Sequence, residues 1–295
     1  MKFSKLMLGT VQFGLNYGIA NEGGKPSYET AREIIQTAYE GGVTSLDTAA
    51  GYGDSEDILG RALSELQLRD KVQVISKVPP VPQDNPSVAA VEKHITENVE
   101  NSLKRLRLER LSVCLFHRED DIRYIEVMRK MEQKGLIGAA GVSLDTNRYC
   151  DDVLAAKIKH IQLPYNLMDK RFDAFFLAAQ QHGIAIFSRS VYLQGLLLMP
   201  EEKIKPSLQE IIPLRRRVEQ LAMAAGMEMS ELCMRFVLSN PAITSVLTGV
   251  DNCAQLRQNL ELFAKGVMPL ELYRQAQAAV PELEEKIIRP GLWNK

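Results

Sequence analysis

The segment TSLDTAAGYGDSEDILGRAL, residues 44–63, contains a strand, a turn and the start of a helix. A short apolar run ends on Asp47, and the residues from Ser55 to Leu66 follow the spacing of an amphipathic helix. The turn between them carries Tyr52 with a glycine on either side. A carboxylate and a phenol therefore follow one predicted strand, and we expect the glycines, Gly51 and Gly53, to let the turn curl back over the strand end.

The same alternation of strand and helix continues along the chain. The strand candidates are apolar on both faces, which is typical of buried parallel strands joined by right-handed crossovers. Eight such units in 295 residues, with no Pro/Gly/Ser-rich linker, predict one α/β domain over residues 1–295. We expect a closed (β/α)8 TIM barrel, with an open doubly wound sheet as the alternative. The predicted strands are Leu6–Leu8, Thr44–Asp47, Val72–Lys77, Ser112–His117, Ala139–Val142, His160–Leu163, Ile184–Ser188 and Ser245–Leu247.

Helical patterns occur between the predicted strands, and there are more of them than eight β/α units need. Two helical segments, where one would suffice, separate the seventh strand from the eighth, and another segment follows the last unit. The pattern therefore predicts extra helices after strand 7 and at the C-terminus. The predicted helices include Tyr28–Glu40, Ser55–Leu66, Val88–Arg107, Arg123–Lys134, Leu208–Ala225, Ser230–Ser239 and Pro269–Ala278.

The composition is that of an ordinary globular protein. Lysine and arginine number 36 against 37 acidic residues, so there is no excess charge for a nucleic-acid partner, and Arg215–Arg217 is interpreted as a solvated helix face. Four widely spaced cysteines favour a reduced compartment over a disulfide framework. With neither a signal-peptide pattern nor a run of about 18 apolar residues, we expect a cytoplasmic protein without a membrane partner. The sequence assigns no oligomeric state.

Three consecutive predicted strands end on ionisable side chains, namely Asp47, Lys77 and His117. In a barrel these ends meet at one rim, where catalytic groups are placed. A phenol with a pKa near ~10 is a weak acid at neutral pH, but a neighbouring ammonium lowers that pKa and a carboxylate can hold the ammonium. With Tyr52 added, the set can protonate the alkoxide that forms when a hydride reduces a carbonyl, while His117 donates a hydrogen bond to the same oxygen.

These four residues resemble the catalytic tetrad of the aldo-keto reductase superfamily. Residues 46–63 are similar to its signature D-T-A-x-x-Y-G-x-S-E-x-x-L-G, and LGTVQFG, ISKV, GLIGAAGVS, IQLPYNL, YLQGLL and TGVDNCAQLRQNL extend the similarity over nearly the whole chain. The resemblance implies a TIM barrel without a metal, with Tyr52 as general acid and NADP(H) or NAD(H) as cofactor. The phosphate-binding motif G-x-G-x-x-G, Tyr-x-x-x-Lys and H-E-x-x-H are all missing from the sequence.

The resemblance also implies a set of cofactor contacts. Ser143 and Gln162 match the residues that hold the nicotinamide carboxamide, whereas Leu144 replaces an asparagine that often follows the serine. Arg189 stands near a position where an aromatic ring often stacks on the nicotinamide; its guanidinium either takes over that stacking or binds phosphate or solvent. The complete predicted set is Gly9, Thr10, Asp47, Ser143, Gln162, Ser188, Arg189, Gly249, Asp251, Gln255 and Asn259.

The choice between NADPH and NADH stays open. Asp251 lies where the family commonly has a basic residue for the 2′-phosphate, and Asn259 matches a residue that contacts the adenine. A carboxylate at this position repels a phosphate and accepts a hydrogen bond from a free ribose hydroxyl. Arg257 lies close enough in sequence to offset that repulsion. The family as a whole favours NADPH, while Asp251 favours NADH.

The sequence leaves other functions open beside the interconversion of a carbonyl compound and its alcohol. One is a nicotinamide-binding regulatory or redox-sensing protein with slow turnover, and another is a lyase or isomerase that forms a Schiff base on Lys77. The opening LGTVQFGLNYGIAN resembles a family branch associated with sugar and polysaccharide metabolism, so a sugar-like small molecule is the predicted substrate. The predicted pocket walls are Asn16–Ser27, Pro79–Pro86, Arg118–Asp121, Tyr192–Pro206 and the C-terminal tail, with Tyr17, Arg118, Tyr165 and Trp293 as lining candidates. We expect His94, His160 and His182 at the surface or at helix ends.

Overall fold

A computed structural model describes residues 1–21, 23–82 and 86–293. Within them, eight parallel strands pair in sequence order and the last pairs with the first, so the barrel closes and the doubly wound alternative is wrong. In the described ranges, no helix is long and apolar enough to span a membrane. The strands are Leu6–Gly9 (β1), Ser45–Asp47 (β2), Gln73–Val78 (β3), Val113–Phe116 (β4), Ala140–Ser143 (β5), His160–Pro164 (β6), Ala185–Arg189 (β7) and Ile243–Gly249 (β8).

Helices surround the barrel, and the predicted extra helices after β7 and at the C-terminus are confirmed. The helix Tyr28–Glu40 shows why such predictions succeed. Ser27 caps its first turn by accepting a hydrogen bond from the Thr30 backbone N–H at 3.1 Å, and its apolar stripe is buried. The helices are Val11–Gly14 (α1), Tyr28–Glu40 (α2), Ser55–Glu65 (α3), Val88–Leu106 (α4), Ile125–Gln133 (α5), Cys150–Ala155 (α6), Asp173–Gln181 (α7), Ile212–Ala224 (α8), Met229–Ser239 (α9), Cys253–Ala264 (α10), Leu270–Ala279 (α11) and Glu285–Ile288 (α12).

Two helix starts differ from the prediction. The segments Glu119–Tyr124 and Pro206–Ile211 form 3-10 turns, so the helices that follow them begin later than expected. In the second case the reason is Pro213, which lacks a backbone N–H and would break the interior of a longer helix. Placed at the first turn of α8, the same proline leaves no hydrogen bond unmade.

The strand side chains alternate between the barrel interior and the surrounding helices. Met7, Ile75, Leu115 and Phe187 fill the interior and are fully buried. The neighbouring positions pack outward in a larger core between strands and helices, as Leu46 does. This parity determines which residues at the strand ends face the mouth of the barrel.

Two sequence-based interpretations of charged residues are wrong. His160 lies on β6 and closes the barrel floor, with its ring 5.8 Å from that of Phe3, and burial lowers its pKa to about 4. Arg215 is buried on α8, because the inward face of that helix includes Val218, three residues further on. Arg216 and Arg217 are exposed, as expected of a solvated face.

Candidate active site

The inward-facing positions at the carboxyl ends of the strands form a ring with one residue per strand. Two-residue alternation leads from Ile75 to Lys77 and from Phe187 to Arg189, and strand pairing places neighbouring members side by side. Six of the predicted catalytic and cofactor side chains and two predicted glycines therefore meet at the barrel mouth. The ring consists of Gly9, Asp47, Lys77, His117, Ser143, Gln162, Arg189 and Gly249.

A buried ion pair joins two members of this ring. The Lys77 Nζ donates to both carboxylate oxygens of Asp47, at 2.8 and 2.7 Å, and to the Thr48 carbonyl oxygen at 2.9 Å. The side chains of Lys77 and Asp47 are 1% and 3% exposed, so water does not screen the pair. Gln162 Nε2 donates to the same carboxylate at 2.8 Å. Asp47 therefore holds the ammonium in one position, as the sequence predicted.

Tyr52 reaches this pair from the β2–α3 loop. Its ring centroid lies 4.8 Å from the Lys77 Nζ and 5.5 Å from the centre of the His117 ring, which it meets edge-on. All four predicted catalytic residues are thus in one place. Burial raises the pKa of Tyr52, and the opposing charge of Lys77 does not outweigh it. Lys77 does lower the pKa of Tyr52, as expected, but burial has the larger effect and the net shift is upward.

The Tyr52 loop is held by a close backbone approach that the sequence did not suggest. A Cβ on Gly14, in the short helix α1, would lie 1.7 Å from the Tyr52 carbonyl oxygen. Gly53 has φ +56°, and a Cβ there would lie 2.5 Å from the Gly14 oxygen. Both glycines are therefore required. Gly51 is not, because a Cβ there would meet only His117, at 3.7 Å.

Lys77 carries a positive charge in this site. Burial alone would lower its pKa, but the charge of Asp47 and the hydrogen bonds of Asp47 and Tyr52 outweigh burial and raise it. A Schiff base requires a neutral amine as nucleophile. Because the Lys77 ammonium is charged and donates to Asp47 and Thr48, it argues against the lyase or isomerase alternative.

His117 is the neutral member of the set. Burial, followed by the charges of Lys77 and Arg189, lowers its pKa to about 4. The ring is therefore uncharged over the physiological range and can donate one hydrogen bond from whichever nitrogen carries the proton.

We expect the ring signal of His117, followed by NMR and assigned with His117→Gln, to stay flat from pH 8 to 5 and to titrate near pH 4. Because the folded state disfavours the charged ring, this residue contributes stability above the unfolded pKa of about 6.5, and that contribution is lost as the pH falls toward 4. Wild type should lose stability more steeply than His117→Gln in this window. A midpoint near 6.5 would contradict the assignment.

A cavity of about 520 Å³ runs from Tyr52 to α10, and we call it the larger cavity. It is lined on one side by members of the strand-end ring, including Asp47, and on the other side by the β8–α10 segment. Polar side chains line much of it. Of the predicted cofactor residues, the cavity contains Gly9, Asp47, Gln162, Arg189, Gly249, Asp251, Gln255 and Asn259.

The other three predicted cofactor residues lie elsewhere. Ser143 lines a second, smaller cavity. The Thr10 hydroxyl lies beneath the mouth, where it donates to the Asp47 carbonyl oxygen at 2.9 Å, and Ser188 is fully buried. Thr10 and Ser188 follow or precede an inward-facing residue by one position, so strand parity turns both away from the cavities. Ser190 lies past the end of β7, where its φ of 65° departs from strand geometry, and it lines the larger cavity instead of Ser188.

The β1–α2 loop crosses the larger cavity. Tyr17 accepts a hydrogen bond from Gln194 Nε2 at 3.0 Å, and Asn21 Nδ2 donates to Asp251 Oδ1 at 3.1 Å. Gln255 contacts the other oxygen of the same carboxylate at 3.4 Å. The loop thus connects the β7 and β8 loops, and it holds Asp251 in place at the cavity wall.

The smaller cavity, of about 230 Å³, opens beside Tyr52 and His117. Tyr17 lines it, as predicted, together with residues 288–291 of the C-terminal tail. Tyr165 and Trp293 are instead buried in the core, where Tyr165 stacks on Phe236 at 5.5 Å.

Arg118 also lies outside both cavities, in an ion pair with Asp121. Part of the predicted Pro79–Pro86 wall, residues 83–85, lies outside the described residues.

Several lining residues were missed in the sequence. Arg257 does not line the larger cavity, because its side chain points to Glu33 on α2. Its neighbour Gln258 lines the cavity in its place. The helical period explains this, because adjacent residues on a helix point about 100° apart. Three further lining side chains outside the predicted walls are Gln12 on α1, Ser190 after β7 and Ser230 on α9, whereas Tyr192, Gln194 and Lys203 lie within the predicted wall Tyr192–Pro206.

Comparisons with known proteins agree with the barrel fold. A model of the Aldo/keto reductase family matches residues 5–280. Aldo-keto reductase YhdN of Bacillus subtilis (strain 168) is 30% identical over 79% of this chain and 78% of its own length, and the oxidoreductase YqkF of the same organism is 28% identical over 78% and 81%. The solved holo form of aldo-keto reductase AKR11C1 from Bacillus halodurans has the same fold, with a TM-score of 0.78 at 22% identity over 97% of this chain and 95% of that one. The chain therefore belongs to the aldo/keto reductase family, and it is an NAD(P)H-dependent oxidoreductase.

Proposed function

We propose that the protein interconverts a small aldehyde or ketone, sugar-like in character, with its alcohol, and that Tyr52 is the general acid. One observation carries the proposal: Tyr52 lines both cavities, and the buried Asp47–Lys77 pair lies against its ring. An extended cofactor in the larger cavity and a small substrate in the smaller one would meet at this phenol.

Each of the four residues has a separate task in this proposal. The neutral phenol of Tyr52 has a proton to give to the developing alkoxide oxygen. The Lys77 ammonium stabilises the phenolate that remains, and Asp47 keeps that ammonium in position. Neutral His117 donates a hydrogen bond to the substrate oxygen, which polarises the carbonyl without adding a charge.

The larger cavity fits a nicotinamide cofactor, which supplies the hydride when bound. The amide of Gln162 is fixed by Asp47 next to Tyr52, and with Ser143 it suits a carboxamide. Asn259, whose side-chain oxygen accepts from the Tyr192 hydroxyl at 3.0 Å, lies at the far end and suits an adenine. Between them, the loop contacts of Tyr17 and Asn21 would close over the bound molecule.

The test is steady-state oxidation of NADPH and NADH, followed by absorbance, with neutral aldehydes such as 4-nitrobenzaldehyde and with simple sugars. Multiple turnovers that require the aldehyde support the reductase. A single oxidation of bound cofactor without further turnover would instead support the regulatory or redox-sensing alternative. Binding of cofactor with no oxidation at all would contradict the proposal.

We expect Asp251→Asn to raise the affinity for NADPH relative to NADH, by roughly tenfold or more, because a carboxylate at the cavity wall repels a 2′-phosphate and the isosteric amide does not. Dissociation constants of both reduced cofactors, from fluorescence titration, check this. Asp70→Asn, at an exposed site away from the cavity, serves as the control. An unchanged ratio would show that Asp251 does not face the 2′ position.

A further inference from the structure

We propose that the carbonyl substrate carries an anionic group, a carboxylate or a phosphate ester, and that Arg289 binds this group in the smaller cavity. The inference names the substrate class of the proposed active site and rests on that proposed function. It follows from the charge of the cavity wall and from the partners of each arginine in it.

The smaller cavity is lined by charges of mainly one sign. Beside Tyr52 and His117, the described part of its wall contains three arginines and a single carboxylate residue, Asp145. A cleft lined by one sign of charge concentrates ligands of the opposite sign. The three arginines are Arg171, Arg189 and Arg289.

All three guanidinium nitrogens of Arg171 already donate to other groups of the protein. Its side chain is 5% exposed, and its Nε and Nη2 donate to the two carboxylate oxygens of Asp169 at 2.8 and 2.6 Å. Its Nη1 donates to the Asp145 carbonyl oxygen at 3.1 Å. Arg171 therefore ties together the loops around the cavity and has little left to offer a ligand.

Arg189 is largely neutralised. It is paired with the Asp145 carboxylate, and its Nη2 also donates to the Leu144 carbonyl oxygen at 3.1 Å. These contacts connect the β7 end to the β5 loop. Among the described residues of the cavity wall Asp145 is the only carboxylate, so this pair leaves the charge of Arg289 uncompensated within that wall.

Arg289 has guanidinium N–H groups that are available to a ligand. Its Nη1 donates to Glu285 Oε2 at 2.6 Å, while its Nε and Nη2 meet no acceptor among the residues that the structure describes. Glu285 lies 3.7 Å from Arg148 as well, so its charge is shared. The unused Nε–Nη2 edge matches the two oxygens of a carboxylate or phosphate. At 25% exposure, the side chain is reachable from the cavity.

The test compares matched neutral and anionic substrates at low ionic strength: glyceraldehyde with glyceraldehyde 3-phosphate, and glucose with glucuronate, with 4-nitrobenzaldehyde as reference. We expect kcat/KM to be roughly 10- to 100-fold higher for the anionic member of at least one pair, as a charge-assisted bidentate contact predicts. The pair that shows the preference distinguishes phosphate from carboxylate. Added salt should reduce the preference.

Variants test whether Arg289 is the residue that causes the preference for anionic substrates. Arg289→Gln should remove most of the anionic preference, and Arg289→Lys should retain part of it, which also guards against a folding defect in the first variant. Arg148→Gln is the matched control, because Arg148 shares Glu285, is 71% exposed and does not line the cavity. It should keep the wild-type ratio.

Equal rates for both members of both pairs, or a ratio that Arg289→Gln leaves unchanged, would overturn the inference. Reduction of 4-nitrobenzaldehyde in the same experiment would then show that the proposed reductase function stands without it. If no carbonyl compound is reduced, the proposed function fails and the inference fails with it.

Discussion

Tyr52→Phe is expected to lower kcat/KM for carbonyl reduction by roughly 100- to 10,000-fold, the usual contribution of a general acid. The substitution removes only the hydroxyl, so the edge-on contact with His117 and the backbone approach of Gly14 are retained. Cofactor affinity and thermal stability should therefore stay close to wild type. Steady-state rates, cofactor fluorescence titration and a melting curve measure the three quantities on the same sample.

The matched control for this prediction is Tyr28→Phe. Its hydroxyl donates to Glu65 at 2.8 Å in an exposed contact, and Tyr28 lines neither cavity. It should keep the wild-type rate. A Tyr52→Phe protein that binds cofactor and reduces aldehydes at a wild-type rate would show that the proton comes from another group.

Lys77→Met is expected to abolish turnover and to lower the free energy of unfolding by about 3–5 kcal/mol. Without the ammonium, the buried Asp47 carboxylate keeps only the hydrogen bond from Gln162 and loses the charge that compensates it. The double variant Asp47→Asn/Lys77→Met removes both charges. It should be more stable than Lys77→Met alone and equally inactive.

Denaturant unfolding and kcat/KM measure the two effects separately. Lys25→Met is the control for an exposed pair, since Lys25 and Asp54 are 34% and 53% exposed and such pairs contribute about 0–1 kcal/mol. If the double variant proves less stable than Lys77→Met, lost packing rather than an uncompensated charge explains the destabilisation.

The sequence alone predicted the barrel and the members of its proposed catalytic set. Apolar runs that end on Asp47, Lys77 and His117 carry both kinds of information, because a parallel strand must be apolar to be buried and its carboxyl end must meet its neighbours'. The sequence did not give the parity of β7, because its strands are apolar on both faces. The structure shows Phe187 pointing inward, and two-residue alternation from it excludes Ser188 and keeps Arg189.

Only the tertiary structure decided the contacts between segments far apart in the chain. The approach of Gly14 to the Tyr52 carbonyl, the bond from Asn21 to Asp251 and the return of Arg289 to the cavity wall all join loops with no periodic pattern. The direction of the Tyr52 pKa shift was likewise decided only by the tertiary structure. It depends on how much water the folded loops exclude, and burial of that kind is a property of the closed barrel rather than of any one segment.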